Sequence, residues 1–146
     1  MGILDDKHCI ITGGAGSVGL ASAKAMAEEG ARIMLVDRDM AELEQAADSI
    51  GAKDTLIAAA DISDSTQVQA FVKQAAENWG KIDVVFANAG ISGTNASVAD
   101  FPEDVFDDVM DINVRGTFLT LKHAIPHMRD GGSIVVTSSI MGVRTR

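Results

Sequence analysis

An α/β fold built on a doubly wound parallel sheet is predicted by three features of this 146-residue chain. Short apolar, β-branched runs alternate with longer amphipathic segments, which is the order of a βαβ protein. The runs, such as Ile33-Met34-Leu35-Val36 and Val84-Val85-Phe86-Ala87, are apolar at successive positions, as expected of strands covered on both faces. A glycine cluster sits directly between the first run and the first amphipathic segment. The length suits one domain, able to bury roughly 68–70% of the surface an unfolded chain exposes.

The elements follow in order. Strands are expected at residues 7–12, 32–37, 55–60, 82–87 and 133–138, with helices at 18–29, 40–50, 65–79 and 103–129. Asp39 with Glu42, and Asp64 with Gln67, place a cap acceptor three residues before a side chain able to reach back, the pattern of a capping box. Pro102 suits a first helical turn, and the acids behind it face the positive end of the helix dipole. Gly30, Gly51 and Gly80 each follow a helical run, where a left-handed cap tolerates no Cβ at low cost. Pro126 is expected to end or kink the last helix. The one sizeable loop lies between Gly90 and Ala99, and no internal repeat or low-complexity tract divides the chain.

Composition narrows the function. A net charge of −9 repels phosphate backbones, so nucleic acid is not expected as a partner. No run approaches the ~18 consecutive apolar residues of a membrane span. The first six residues carry neither a basic n-region nor an apolar h-region, so a cytoplasmic location is expected. Cys9, the single cysteine, falls inside an apolar strand and reads as a small buried hydrophobe. His123 and His127 stand at i, i+4, but no third ligand accompanies them, and no metal is expected.

The glycine cluster carries the chemistry. Gly13-Gly14-Ala15-Gly16-Ser17-Val18-Gly19 contains G-x-G-x-x-G through Gly14, Gly16 and Gly19, after an apolar strand and at the start of a helix. In that Rossmann-type context, backbone N–H groups and the helix dipole hold a pyrophosphate, and absent side chains allow close approach. Asp37 ends the second strand, about 20 residues on, where an acid accepts hydrogen bonds from an adenosine ribose. It would repel a 2′-phosphate, so NAD is expected over NADP; Arg38 beside it is a group that could instead pair with that phosphate.

Taken together, Thr12-Gly13 with Gly19, Asp61-Ile62 after the third strand, Asn88-Ala89-Gly90 after the fourth, Asn113 in the long helix and Ser138-Ser139 after the fifth resemble the short-chain dehydrogenase/reductase family. The resemblance runs over essentially the whole chain. It implies a larger seven-strand fold, of which five strands and four helices are present here. It implies that Gly13, Gly14, Ser17, Val18 and Gly19 hold the cofactor phosphates, that Asp61 contacts the adenine with Ile62 beside it, and that Asn88, Ala89 and Gly90 lie along the cofactor while Asn88 braces the sheet. Asn113 is implied to hold a water of the proton relay, and Ser139 to hydrogen-bond the substrate's carbonyl or hydroxyl oxygen. Each also has a plainer reading: Asp61 as a turn residue, Asn88 as a strand-end donor, Ser139 as a polar turn residue. Two positions depart from the family pattern, Ser17 where glycine or alanine is usual and Ala87 where the first asparagine of N-N-A-G stands.

The family's acid/base is a tyrosine followed four positions later by a lysine, beyond the residue matching Ser139. This chain contains no tyrosine. The expectation is therefore a dinucleotide-binding domain over residues 1–146, truncated before the catalytic Tyr/Lys helix and catalytically incomplete. Its apolar stretch at 133–137 should form an exposed edge prone to aggregation or to partner binding. The complete protein would pass a hydride between NAD(H) and a secondary alcohol or ketone, as a homo-oligomer packed through the 103–129 helix. The rival reading is a non-catalytic dinucleotide-binding sensor or regulatory module.

Overall fold

In a computed structural model describing residues 2–52 and 54–140, five parallel strands lie in the order β3-β2-β1-β4-β5. They are β1 (His8–Thr12), β2 (Arg32–Asp37), β3 (Leu56–Ala59), β4 (Ile82–Ala87) and β5 (Met128–Val136). Helices α1 (Ser17–Glu28), α2 (Met40–Ile50) and α3 (Ser65–Trp79) make the first three crossovers. The fourth runs through α4 (Glu103–Met110), a π-helical segment (Asp111–Gly116), α5 (Thr117–Ala124) and a 3₁₀ turn (Ile125–His127).

Strand alternation divides the interior into two cores. Ile10, Met34, Val36 and Val85 face one side of the sheet and pack with Val68, Phe71 and Val72 of α3 and Leu119 and Ala124 of α5. Cys9, Ile11, Ile33 and Leu35 face the other and meet Ala23 of α1 and Leu43 and Ala46 of α2. Both faces are thus covered, which is why the strands carry no polar alternation. Burial pushes the Cys9 thiol up to about 12, with the nearby Asp83 carboxylate adding to the rise and Lys7 opposing it.

Cap chemistry holds in part. Asp39 accepts the Glu42 N–H at 3.0 Å, and Asp64 accepts those of Thr66 and Gln67 at 2.8 and 3.2 Å. The reciprocal arm of the second box goes elsewhere, because the Gln67 side chain accepts the Asp61 N–H at 2.8 Å. These hydrogen bonds hold the Asp64 carboxyl below its ordinary pKa.

Two boundaries differ from expectation. The single helix expected over 103–129 is interrupted by the π segment and stops at the 3₁₀ turn that contains Pro126, whose ring cannot continue a helix. β5 begins at Met128 instead of residue 133 and ends at Val136. Its pairing with β4 shifts between Ile82↔Met128 and Val84↔Ser133. The extra residues, including Gly131 at φ +78°, bring Arg129 to Asp83 with Nε 2.9 Å from the carboxylate. β5 is the sheet edge, and Ile134, Val135 and Val136 are 41, 46 and 46% exposed.

At the opposite end of the strands from their carboxyl termini, Asp83 is nearly buried and collects the His8 N–H (3.1 Å), Arg129 and Lys7 (3.7 Å). Burial by itself would raise its pKa; the His8 hydrogen bond and the Arg129 pair outweigh it, holding the carboxyl below its ordinary range. The His8 ring stacks on Trp79 at 5.1 Å beside this group.

Candidate active site

The carboxyl ends of the strands open into a cleft of about 970 Å³, between the crossovers that leave β1 in one direction and β4 in the other. Open α/β sheets bind ligands at this change of direction. Gly13, Gly16, Ser17 and Val18 line it from the glycine turn, Asp37 and Arg38 from the end of β2, and Ala60 and Ile62 from the end of β3. Asn88, Ala89, Gly90, Ile91 and Ser92 enter after β4, Ile112, Asn113, Val114 and Thr117 from the helix, and Thr137, Ser138 and Ser139 after β5.

Three expected site residues lie behind this surface. Gly14 presses the turn against β2, where a Cβ would stand 2.9 Å from that of Leu35, while its N–H donates to the Val36 carbonyl at 3.0 Å. Gly19 lets the first turn of α1 rest on the glycine turn, since a Cβ there would fall onto the Gly13 carbonyl oxygen. The Asp61 carboxylate accepts the Ser63 N–H and O–H at 2.9 and 2.7 Å, the arrangement of a turn residue.

The start of α1 differs from the starts of α2 and α3. α2 and α3 are capped by aspartates, whereas no side chain caps α1 and no acid stands in its first turn. The N–H groups of that turn and the positive end of the dipole therefore point at the cleft. Gly13 adopts φ +65°, and a Cβ on it would come within 2.9 Å of Ala89 Cα. Asp37 spans the same corner, accepting from the Ala15 N–H at 3.1 Å and from the Arg38 N–H at 2.8 Å.

Asn88 ties three strands together. Its amide nitrogen donates to the carbonyls of Thr12 (3.2 Å) and Gly13 (3.4 Å), and its amide oxygen accepts the Thr137 hydroxyl at 2.8 Å. The buried Thr12 hydroxyl accepts the N–H groups of Asn88 and Ala89 at 3.0 and 3.2 Å. Neither Thr12 nor Thr137 is among the expected site residues; a hydroxyl closing an otherwise apolar run is the signal that marks both.

Asn113, in the π segment, holds the loop after β4. Its amide oxygen accepts the Ile91 N–H and its amide nitrogen donates to the Ile91 carbonyl, each at 2.8 Å. Both ends of the amide are thereby engaged. Ile62 packs under Gly116 of the same segment, where a Cβ would approach its Cδ1 to 2.6 Å. Ser139 faces the cleft beyond β5. Among the described residues, no three His, Cys, Asp or Glu side chains gather as a metal-binding group.

The parallel order and the glycine turn between β1 and α1 define a Rossmann-type α/β domain, and the chain belongs to the short-chain dehydrogenase family, whose model matches residues 7–146. It is 40% identical over 149 residues to levodione reductase of Leifsonia aquatica and 39% identical over 147 residues to an uncharacterized oxidoreductase, YxbG, of Bacillus subtilis (strain 168). These alignments take in 95% and 97% of the chain but 54% and 53% of the relatives, so the chain spans about half their length. The crystal structure of an NAD⁺-bound xylitol dehydrogenase superposes with a TM-score of 0.95 at 37% identity, over 99% of this chain and 57% of that one. No helix among the described residues is long and apolar enough to cross a membrane.

Proposed function

We propose that this chain is the cofactor-binding part of an oxidoreductase that passes a hydride between NAD(H) and a secondary alcohol or ketone. The observation that carries the reading is the conjunction, in one cleft, of an uncapped helix start behind Gly13 with the Asp37 carboxylate 3.1 Å from the Ala15 N–H. The first supplies donors for a pyrophosphate, the second an acceptor for ribose hydroxyls one step further along. Fixed in place by two backbone N–H groups, Asp37 opposes a 2′-phosphate, which favours NAD over NADP even with Arg38 adjacent. The NAD⁺-bound state of the similar xylitol dehydrogenase supports the same choice.

When bound, the nicotinamide supplies the hydride chemistry. The chain's own contribution is placement. Ser17 and Val18 offer the phosphate donors with Gly19 closing the helix onto the turn behind them, Ile62 a wall for the adenine, and Ala89 and Gly90 a small-residue floor held by Asn88. The Asn113 amide, bonded to Ile91 on both sides, fixes the main chain from which it would serve a proton relay. Ser139 is the group for the substrate oxygen. The acid/base would come from a tyrosine and lysine outside this chain, which leaves residues 1–146 without turnover of their own.

A homo-oligomer in the cytoplasm completes the reading. Phe106, Met110, Val114, Phe118 and Ile125 recur along the α4–α5 segment and are 54, 41, 55, 59 and 53% exposed, an apolar stripe suited to a second copy.

Titration of this chain with NADH and NADPH, followed by nicotinamide fluorescence, tests the proposal. NADH should bind more tightly. The reverse order would overturn the NAD assignment, and binding of neither would overturn the dinucleotide reading altogether.

A further inference from the structure

We propose that Arg115 is a positioning residue for the adenine end of the cleft. The inference rests on the dinucleotide reading and goes beyond it by assigning a task to a side chain outside the cleft wall. The loop at residues 61–64 follows β3, and Ile62 within it lines the cleft. Its shape depends on Ser63, whose N–H and hydroxyl both donate to Asp61 Oδ1 at 2.9 and 2.7 Å. The carbonyl of the same Ser63 accepts Nε–H of Arg115 at 3.1 Å. Arg115 thus holds the residue that holds Asp61.

Two further contacts from the same stretch of helix fall on this loop and on the first residue of α3. Gly116 receives Ile62 at a distance no side chain would permit, and His123 Nε2 lies 3.0 Å from Ser65 Oγ. Two residues before Arg115, Asn113 clasps Ile91 on the other side of the cleft. The π segment therefore meets the loop after β3 with Arg115 and Gly116 and the loop after β4 with Asn113. Among the described residues no carboxylate forms an ion pair with Arg115, so its planar guanidinium is committed to a loop carbonyl through the segment's own geometry.

The test compares the parent chain with Arg115→Met and Arg115→Lys, titrated with NADH and with ADP-ribose, which is the cofactor without its nicotinamide, while thermal unfolding is followed in parallel. Loss of one charge-assisted hydrogen bond to the loop should weaken both ligands about threefold to tenfold in Arg115→Met. Arg115→Lys, which keeps a donor of the same charge, should restore most of the affinity, and the unfolding midpoints should stay close together. Unchanged affinity for ADP-ribose in Arg115→Met would overturn the inference while leaving the dinucleotide reading intact. So would a loss of affinity that tracks a loss of folded protein. A parent chain that binds neither ligand would overturn both.

Discussion

Asn113 and Ile91 satisfy each other's hydrogen-bonding groups in both directions, with the side-chain amide of one matched to the main-chain N–H and C=O of the other at 2.8 Å. The pairing joins the π segment to the first residues of the long loop after β4. A backbone amide bonded in this way leaves no donor or acceptor to search for a partner, so the entrance of that loop is held although it is exposed.

Replacing Asn113 by alanine should therefore lower stability by about 1 kcal/mol, read from urea denaturation. Asn113→Asp should be worse. Its carboxylate still accepts the Ile91 N–H but faces the Ile91 carbonyl with no donor. Equal stability of the aspartate variant and the parent would contradict the pairing.

The glycines divide into those that make room and those that do not. Gly19→Ala should cost about 2 kcal/mol or more and abolish NADH binding, because its Cβ meets the Gly13 carbonyl, which is main chain. Gly16→Ala should cost less than about 1 kcal/mol, since its nearest neighbour would stand at 3.4 Å. Calorimetry on the two variants would disprove this division if their losses matched.

Thr137→Val removes the hydroxyl that donates to Asn88 and puts a methyl group against an amide oxygen. The expected loss is about 1 kcal/mol, and Thr137→Ser should recover it. A valine variant as stable as the serine one, by the same unfolding assay, would remove Thr137 from the brace.

Asp83 sets an acid limit on stability. Its folded pKa lies below the ordinary carboxylate value of ~3.9, so the unfolded chain binds more protons in the window between the two. The contribution is complete above that ordinary value and is lost as pH falls through the folded pKa. Asp83→Asn should be less stable than the parent near neutrality and should lose less on acidification. Urea midpoints followed from neutral pH downward would show two parallel curves if Asp83 played no part.

Cys9 should resist labelling in the folded state. With its pKa near 12, the thiolate is scarce at mildly alkaline pH, and the side chain is fully buried. A thiol reagent should react slowly with the native chain and quickly in concentrated urea. Rapid native labelling would mean that β1 opens far more readily than two covered faces allow.

The covered strands were legible because their apolar runs need no partner to be recognised, and the helix starts because Asp39 and Asp64 act within three residues of themselves. The break at Asp111–Gly116 was not, since it contains no proline; its trace is the pairing of two poor helix formers, Asn113 and Gly116, in mid-helix. The beginning of β5 was also hidden. Met128-Arg129-Asp130-Gly131-Gly132 has no strand pattern and is drawn into the sheet by Ile82 and Asp83, residues far away in sequence. In the site, the glycine turn and Asp37 announced themselves by local spacing. The bonds from Asn88 to Thr12 and Thr137 cross 76 and 49 positions, a distance over which residue type alone says nothing about contact.

The central place of β1 bears on how the molecule is made. The first of these five strands to be synthesised pairs on one side with β2 and on the other with β4, and the His8–Asp83 bond across the latter seam joins residues 75 apart. At synthesis rates of 5–20 residues per second, the amino-terminal half waits about 4 to 15 s with one edge of its innermost strand unpaired. During that interval the apolar run of β1 is open to any other extended chain nearby. The nascent protein is thus most vulnerable to misassembly at the strand that, once folded, is the best protected.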